Sequence, residues 1–133
     1  RGSIAGAHTK NLFFKNKKDN FFLFSCLEST KIDLKILNKK LALGNISLAN
    51  EKYLKEMLNV RPGAVSPYGL LNSKNFIKFY LDKKLLDQEL VNFHPMDNRQ
   101  TVSLKTLDFI RFIKKNNILV NILDFDNYTI TNE

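Results

Sequence analysis

Three short stretches of the chain place chemically capable residues where the backbone is constrained. His8, Thr9, Lys10 and Asn11 stand just before the apolar run Leu12, Phe13 and Phe14, the pattern of a strand whose first side chains reach out of the core into a cleft. A Lys there is a point charge able to anchor a phosphate or polarise a carbonyl, although a plain surface Lys, one of 17 in the chain, would look the same. In the second stretch, Arg61-Pro62-Gly63-Ala64-Val65-Ser66-Pro67, two prolines bracket a Gly and small side chains. Such a loop lets a ligand approach the main chain, and its successive N–H groups can cup an anion or a developing oxyanion; an ordinary tight turn between helix and strand reads the same way. Pro67 offers no N–H but stiffens the exit. In the third, His94 follows Phe93 and precedes Pro95, at the end of a strand. Its ordinary pKa near neutrality suits proton transfer or hydrogen bonding to a substrate, and a structural role bonded to Asn92 or Asn98 is the other reading.

Other chemistries find no footing. Cys26 is the only cysteine and is embedded in an apolar run, so neither an internal disulfide nor a cysteine metal cluster is expected, and a buried inert thiol is. The two histidines, His8 and His94, are far apart, which points to chemistry without a metal or other cofactor. No Ser-His-Asp or Cys-His set, phosphate-binding loop or dinucleotide fingerprint is visible, and the carboxylates are scattered. The charge of +8 favours an anionic partner, but 17 Lys against 4 Arg, with 16 Asn and 11 Phe, is also the skew of an A/T-rich coding sequence. No run of eighteen apolar residues is present to span a membrane, and no signal peptide is visible, so a cytoplasmic protein is expected.

These residues need elements to hold them. At 133 residues with 44% hydrophobic content, a single domain over 1–133 with one core is expected. Strands are predicted at 11–15 and 21–26, joined in a hairpin by a polar loop at 16–20; the second, almost wholly apolar, should be covered on both faces. A helix over 33–43 carries Leu34, Leu37 and Leu41 on one stripe, with Asp33 as N-cap and Gly44 as stop. A second, over 50–58, buries Tyr53, Leu54, Met57 and Leu58 behind an Asn50 cap. Next come a short helical turn at 68–71, a strand at 76–81, a turn at 82–84, a strand at 88–93 and a short strand at 101–103. A helix over 104–116 starts from Ser103 and turns Leu107, Ile110, Phe112 and Ile113 inward. A strand at 119–123 closes the domain and 124–133 reads as a frayed tail. Strands and helices interleave without strict alternation, so the class is α+β (mixed α/β), a mixed sheet flanked by helices.

Set in register, the stretches resemble the YbaK/ProX family of aminoacyl-tRNA deacylases, which includes the editing domain of prolyl-tRNA synthetases. The resemblance lies in His8-Thr9-Lys10-Asn11-Leu12-Phe13, the Asp33-Leu34-Lys35 helix start, Pro62-Gly63-Ala64-Val65-Ser66-Pro67-Tyr68-Gly69-Leu70-Leu71-Asn72 and Asn92-Phe93-His94-Pro95-Met96-Asp97-Asn98. Each is weak alone; together they run in the family's order from about residue 6 to 123. The Lys-Asn-Leu-Phe run and the Pro-Gly-x-Val-Ser-Pro loop look like the ProX branch, associated with removing alanine wrongly attached to proline tRNA.

The resemblance implies a fold and a mechanism. Lys10 would be the catalytic cation, holding the terminal adenosine or the ester carbonyl. Gly63 and Pro67, with Ala64, Val65 and Ser66 between them, would shape the substrate pocket and offer backbone donors, while His94 and Asn11 orient the substrate. Water would attack, assisted by the substrate's own ribose hydroxyl, with no metal or cofactor. The implied partner is mischarged proline tRNA, met by a free-standing protein or by part of a prolyl-tRNA synthetase; a non-catalytic module binding tRNA or synthetase is the alternative. Family members carry a further acidic segment before the Lys motif, so this chain is expected to lack that N-terminal segment. Met96-Asp97 and Arg99-Gln100 depart from the family's usual leucine and small hydroxyl residues, so the pocket rim is expected to differ.

Overall fold

The computed structural model describes residues 7–58, 67–72, 76–93 and 102–132. Over these, eight strands form one mixed sheet: β1 (Ala7–Lys15), β2 (Phe21–Leu27), β3 (Ser47–Leu48), β4 (Ile77–Asp82), β5 (Leu90–Phe93), β6 (Val102–Lys105), β7 (Val120–Asp124) and β8 (Thr129–Asn132). Their order is β6-β5-β1-β2-β4-β7-β8, with β3 paired to β1 off that path. The β1–β2 hairpin is antiparallel, whereas β1–β5, β2–β4 and β4–β7 are parallel. Parallel neighbours need covered faces, and β2 has both: Phe21 to Cys26 are all buried, as its unbroken apolar run predicts.

Side chains alternate across the strands, so the register sorts the core into two clusters. Phe13, Leu23, Phe79 and Val120 pair across β1, β2, β4 and β7 and fall in one cluster. Covering them are Leu54, Met57 and Leu58, Leu70, and Phe109, Ile110 and Ile113 of α3 (Thr106–Lys115). Phe14, Phe22, Phe24, Cys26 and Tyr80 point to the opposite face, where Leu37 of α1 (Leu34–Leu41) closes over them. α1 is capped as expected, the Asp33 carboxylate accepting from the N–H groups of Lys35 and Ile36 at 3.1 and 3.3 Å.

Several sequence expectations are corrected. α1 stops at Ala42, which takes the left-handed conformation at φ 52°, two residues before Gly44. On α1 only Leu37 is buried; Leu34 is 37% exposed. The second helix forms only as α2 (Glu51–Tyr53) and widens into a π turn over Leu54–Leu58, keeping its buried face. Residues 104 and 105 stay extended because β6 pairs with β5 as far as Leu90↔Lys105. α3 therefore starts later, with the Thr106 N–H bonded to the Glu89 carbonyl at 3.0 Å and Lys105 rather than Ser103 at the N-cap position. Its buried stripe is Thr106, Phe109, Ile110 and Ile113, leaving Leu107 65% and Phe112 40% exposed. The tail is a strand: β8 pairs antiparallel with β7, and the intervening turn is held by Phe125 and Tyr128, whose hydroxyl accepts from the Asp33 N–H at 3.0 Å.

Tyr80 is a weak point in this packing. Its ring stacks on Phe24 at 4.6 Å, yet its buried hydroxyl has no hydrogen-bond partner among the described residues, and burial pushes its pKa up to about 12. An unpaired buried hydroxyl costs stability, so Tyr80→Phe should be neutral or stabilising by about 1 kcal/mol in chemical denaturation. The raised pKa makes the folded state resist ionisation that the unfolded chain undergoes. Wild type should therefore lose stability relative to Tyr80→Phe as pH rises from 10 towards 12, and a constant difference over that range would contradict it.

Candidate functional site

β1 sits between β5 and β2, so a side chain on it faces one side of the sheet or the other. Lys10 pairs with Cys26 and Asn11 with Ser25, on opposite faces. Two neighbouring residues read as one site are thus separated by the strand's own period. Asn11 lies on the Phe13 side, where its Oδ1 accepts from the Ser25 hydroxyl at 2.6 Å. On that face too, the Thr9 hydroxyl donates to the Asn92 carbonyl of β5 at 2.6 Å, tying the start of β1 to its parallel neighbour.

Lys10 lies on the α1 side. It is half-buried, and its ammonium donates to the main-chain carbonyl of Thr30, in the turn between β2 and α1. That turn is fixed from several directions. The Thr30 N–H bonds the Leu27 carbonyl and the Glu28 N–H the His8 carbonyl, both at 2.9 Å. The Thr30 hydroxyl donates to Asp82 Oδ2, which also accepts from the Leu27 N–H at 3.1 Å. The other carboxylate oxygen, Oδ1, accepts from the Lys84 N–H at 3.0 Å and caps the 3₁₀ turn over Lys83–Asp87.

Asp82 is the residue that sequence reading missed. Placed there in a turn, it instead ends β4 with 0% exposure. Burying a carboxylate costs several kcal/mol unless donors surround it, and here two N–H groups and a hydroxyl do so. The available signal was an Asp directly abutting the apolar run Ile77 to Leu81, the position where a strand end turns a cap inward. Thr30 carried no signal of its own.

Cys26 lies beside both charges. Burial pushes its thiol well above the usual range; the Asp82 carboxylate raises it further and the Lys10 ammonium opposes the rise. With 0% exposure it has no thiolate to offer, as its apolar setting predicts. Native protein should leave Cys26 unmodified by a thiol reagent at neutral pH and label it fully once denatured; rapid labelling of the native state would contradict this packing.

Of the other predicted site residues, Pro67 opens a 3₁₀ turn (Pro67–Asn72) that packs Gly69 and Leu70 near Leu58, on the Asn11 side of the sheet. Gly63, Ala64, Val65, Ser66 and His94 lie outside the described residues. The described part of β5 ends at Phe93, one residue past Asn92, which pairs with His8. No group of three His, Cys, Asp or Glu side chains among the described residues converges as for a metal ion. Nor is any helix among them long and apolar enough to cross a membrane.

A mixed sheet covered on both faces by helices defines an α+β domain. Residues 2–112 match the aminoacyl-tRNA editing domain family, and the chain belongs to it. It is 39% identical over 128 residues to prolyl-tRNA synthetase associated domain-containing protein 1 of Mus musculus, covering 92% of this chain and 76% of that one. To the prolyl-tRNA editing protein ProX of Acetoanaerobium sticklandii it is 37% identical over 109 residues, covering 80% of this chain and 66% of that one. In fold it is similar to a crystal structure of a candidate trans-editing enzyme for prolyl tRNA synthetase, with a TM-score of 0.69 at 22% identity over 90% of this chain and 71% of that one. The YbaK/ProX resemblance read from the sequence is thereby shown.

Proposed function

We propose that this domain is a deacylase that hydrolyses the ester of mischarged tRNA, with alanine on proline tRNA as its substrate. Membership of the editing-domain family across residues 2–112, which include Lys10, carries this reading. Water adds to the ester carbonyl, the tetrahedral intermediate expels the terminal ribose oxygen, and the products are the free amino acid and tRNA with its hydroxyl restored. An ammonium aimed at the carbonyl oxygen or an adjacent phosphate stabilises the negative charge that develops. Lys10 would be such a group: one of its three N–H donors is spent on the Thr30 carbonyl, which leaves two for a substrate. Main-chain donors of Gly63, Ala64, Val65 and Ser66, with His94, would complete the pocket, whereas Asn11 and Pro67 stand on the other face of the sheet from Lys10. The reaction then depends on positioning more than on a protein base. Hydrolytic proofreading answers a physical limit, since a pocket built for one small side chain cannot strongly reject a smaller one. The domain would act on tRNA released in the cytoplasm or as part of a longer synthetase.

Purified protein should be assayed side by side on proline tRNA carrying alanine, cysteine, serine or proline. Alanine release should dominate, and Lys10→Ala should lower kcat about 10²–10³-fold while the circular dichroism spectrum and Tm stay close to wild type. Unchanged turnover in that variant would remove Lys10 from the mechanism.

A second reading, a non-catalytic module that holds tRNA or a synthetase, is favoured by the charge of +8 and by relatives named for association with prolyl-tRNA synthetase. It predicts tRNA binding that weakens steeply with salt and frees no amino acid, so any catalysed release in the same assay excludes it.

A further inference from the structure

Lys10, Cys26 and Asp82 stand in a row across β1, β2 and β4. Lys10 pairs with Cys26, and Asp82 follows Leu81 as Cys26 follows Ser25 in the parallel ladder. Their charges meet on the Cys26 thiol with opposite effect. Yet no ion pair joins Lys10 and Asp82 directly; the path between them runs through Thr30. Its hydroxyl donates to Asp82 Oδ2 and its carbonyl receives the Lys10 ammonium. A direct ion pair would spend the ammonium's charge on the carboxylate. The bridge fixes the ammonium's place while keeping its charge for a ligand.

We propose that Thr30 and Asp82 are positioning residues for Lys10, a buried clamp that aims its ammonium at the substrate. The inference rests on the deacylase reading above, where Lys10 is the catalytic cation. Four features of the site support it. A Lys side chain is flexible and loses much of its rotamer freedom when held, so a catalytic Lys needs a second group to fix it. A neutral carbonyl on a turn is suited to that, provided the turn cannot shift. Asp82 removes that freedom, since Oδ2 grips both ends of the turn, at Leu27 and at Thr30, while Oδ1 is anchored to the next element at Lys84. The carboxylate is also 0% exposed, so water cannot replace any of these bonds. Capping the 3₁₀ turn accounts for Oδ1 alone; the contacts of Oδ2 are what reach Lys10.

The test uses Thr30→Val, which keeps the shape and the carbonyl but deletes the hydroxyl, and Thr30→Ser, which restores it. Asp82→Asn is the companion, because an amide nitrogen cannot accept and must abandon either Lys84 or the Leu27–Thr30 turn. Two readouts are taken on variants whose Tm stays above the assay temperature. One is the ordering of the Lys10 side-chain ammonium by ¹⁵N NMR relaxation, with its signal assigned by its loss in Lys10→Ala. The other is kcat and KM for alanyl-tRNA deacylation. Thr30→Val should loosen the ammonium and lower kcat about tenfold with KM nearly unchanged, and Thr30→Ser should recover both. An ammonium as ordered in Thr30→Val as in wild type overturns the clamp, as does a Ser variant that fails to rescue. Should wild type itself release no amino acid, the deacylase reading fails, and the ammonium measurement still decides the clamp. If Asp82→Asn does not fold, the Thr30 pair carries the test alone.

Discussion

The structure depends on one constraint: a mixed sheet whose central strands are covered on both faces. Parallel contacts on β2 and β4 leave their faces to be buried by helices, and the strands answer with apolar side chains in both directions. At such strands each polar side chain must find a partner inside the protein or lie at a strand end. The polar side chains buried there are bonded: Ser25 to Asn11 and Asn121 Nδ2 to the Phe79 carbonyl at 2.9 Å. Among the described residues the Tyr80 hydroxyl is the exception.

The same constraint gives the site its shape. Where the sheet ends, the two-sided burial relaxes, and there the chain places a carboxylate, a hydroxyl and an ammonium in succession: Asp82 sealed, Thr30 buried, Lys10 half-buried. Charge is thus graded from inside to outside. The sealed anion costs stability on its own, and its donors recover that cost by fixing the turn that carries the Thr30 carbonyl. Cys26, between the two charges, stays a neutral filler because burial and the carboxylate both oppose its ionisation.

The central part of the fold could be read from sequence because it rests on local signals. The β1–β2 hairpin, the unbroken apolar β2 and the Asp33 cap of α1 each follow from residue type and spacing within a few positions. Lys10 was singled out as a candidate only as a member of a set of stretches in register, since a single Lys before an apolar run says little. What failed were features set by distant partners. β8 exists because β7 offers an edge and because Phe125 and Tyr128 dock on the α1 side. α3 begins late because its first residues are claimed by the β5 ladder. Leu107 and Phe112 stay exposed because they flank the arc of Phe109, Ile110 and Ile113 that the helix turns to the sheet.

The sequence by itself determined the family and the two-faced sheet. Those are matters of residue type at fixed spacing, which a chain carries wherever it folds. Tertiary structure alone decided which side of the sheet each residue serves. Lys10 and Asn11 are adjacent in the chain, yet the strand's period of two sends them to opposite faces. Lys10 and Asp82 are 72 positions apart, yet parallel pairing of β2 with β4 brings them onto one row with Thr30 between. No local pattern encodes that meeting, because it depends on strand order, and strand order is set only when the sheet assembles.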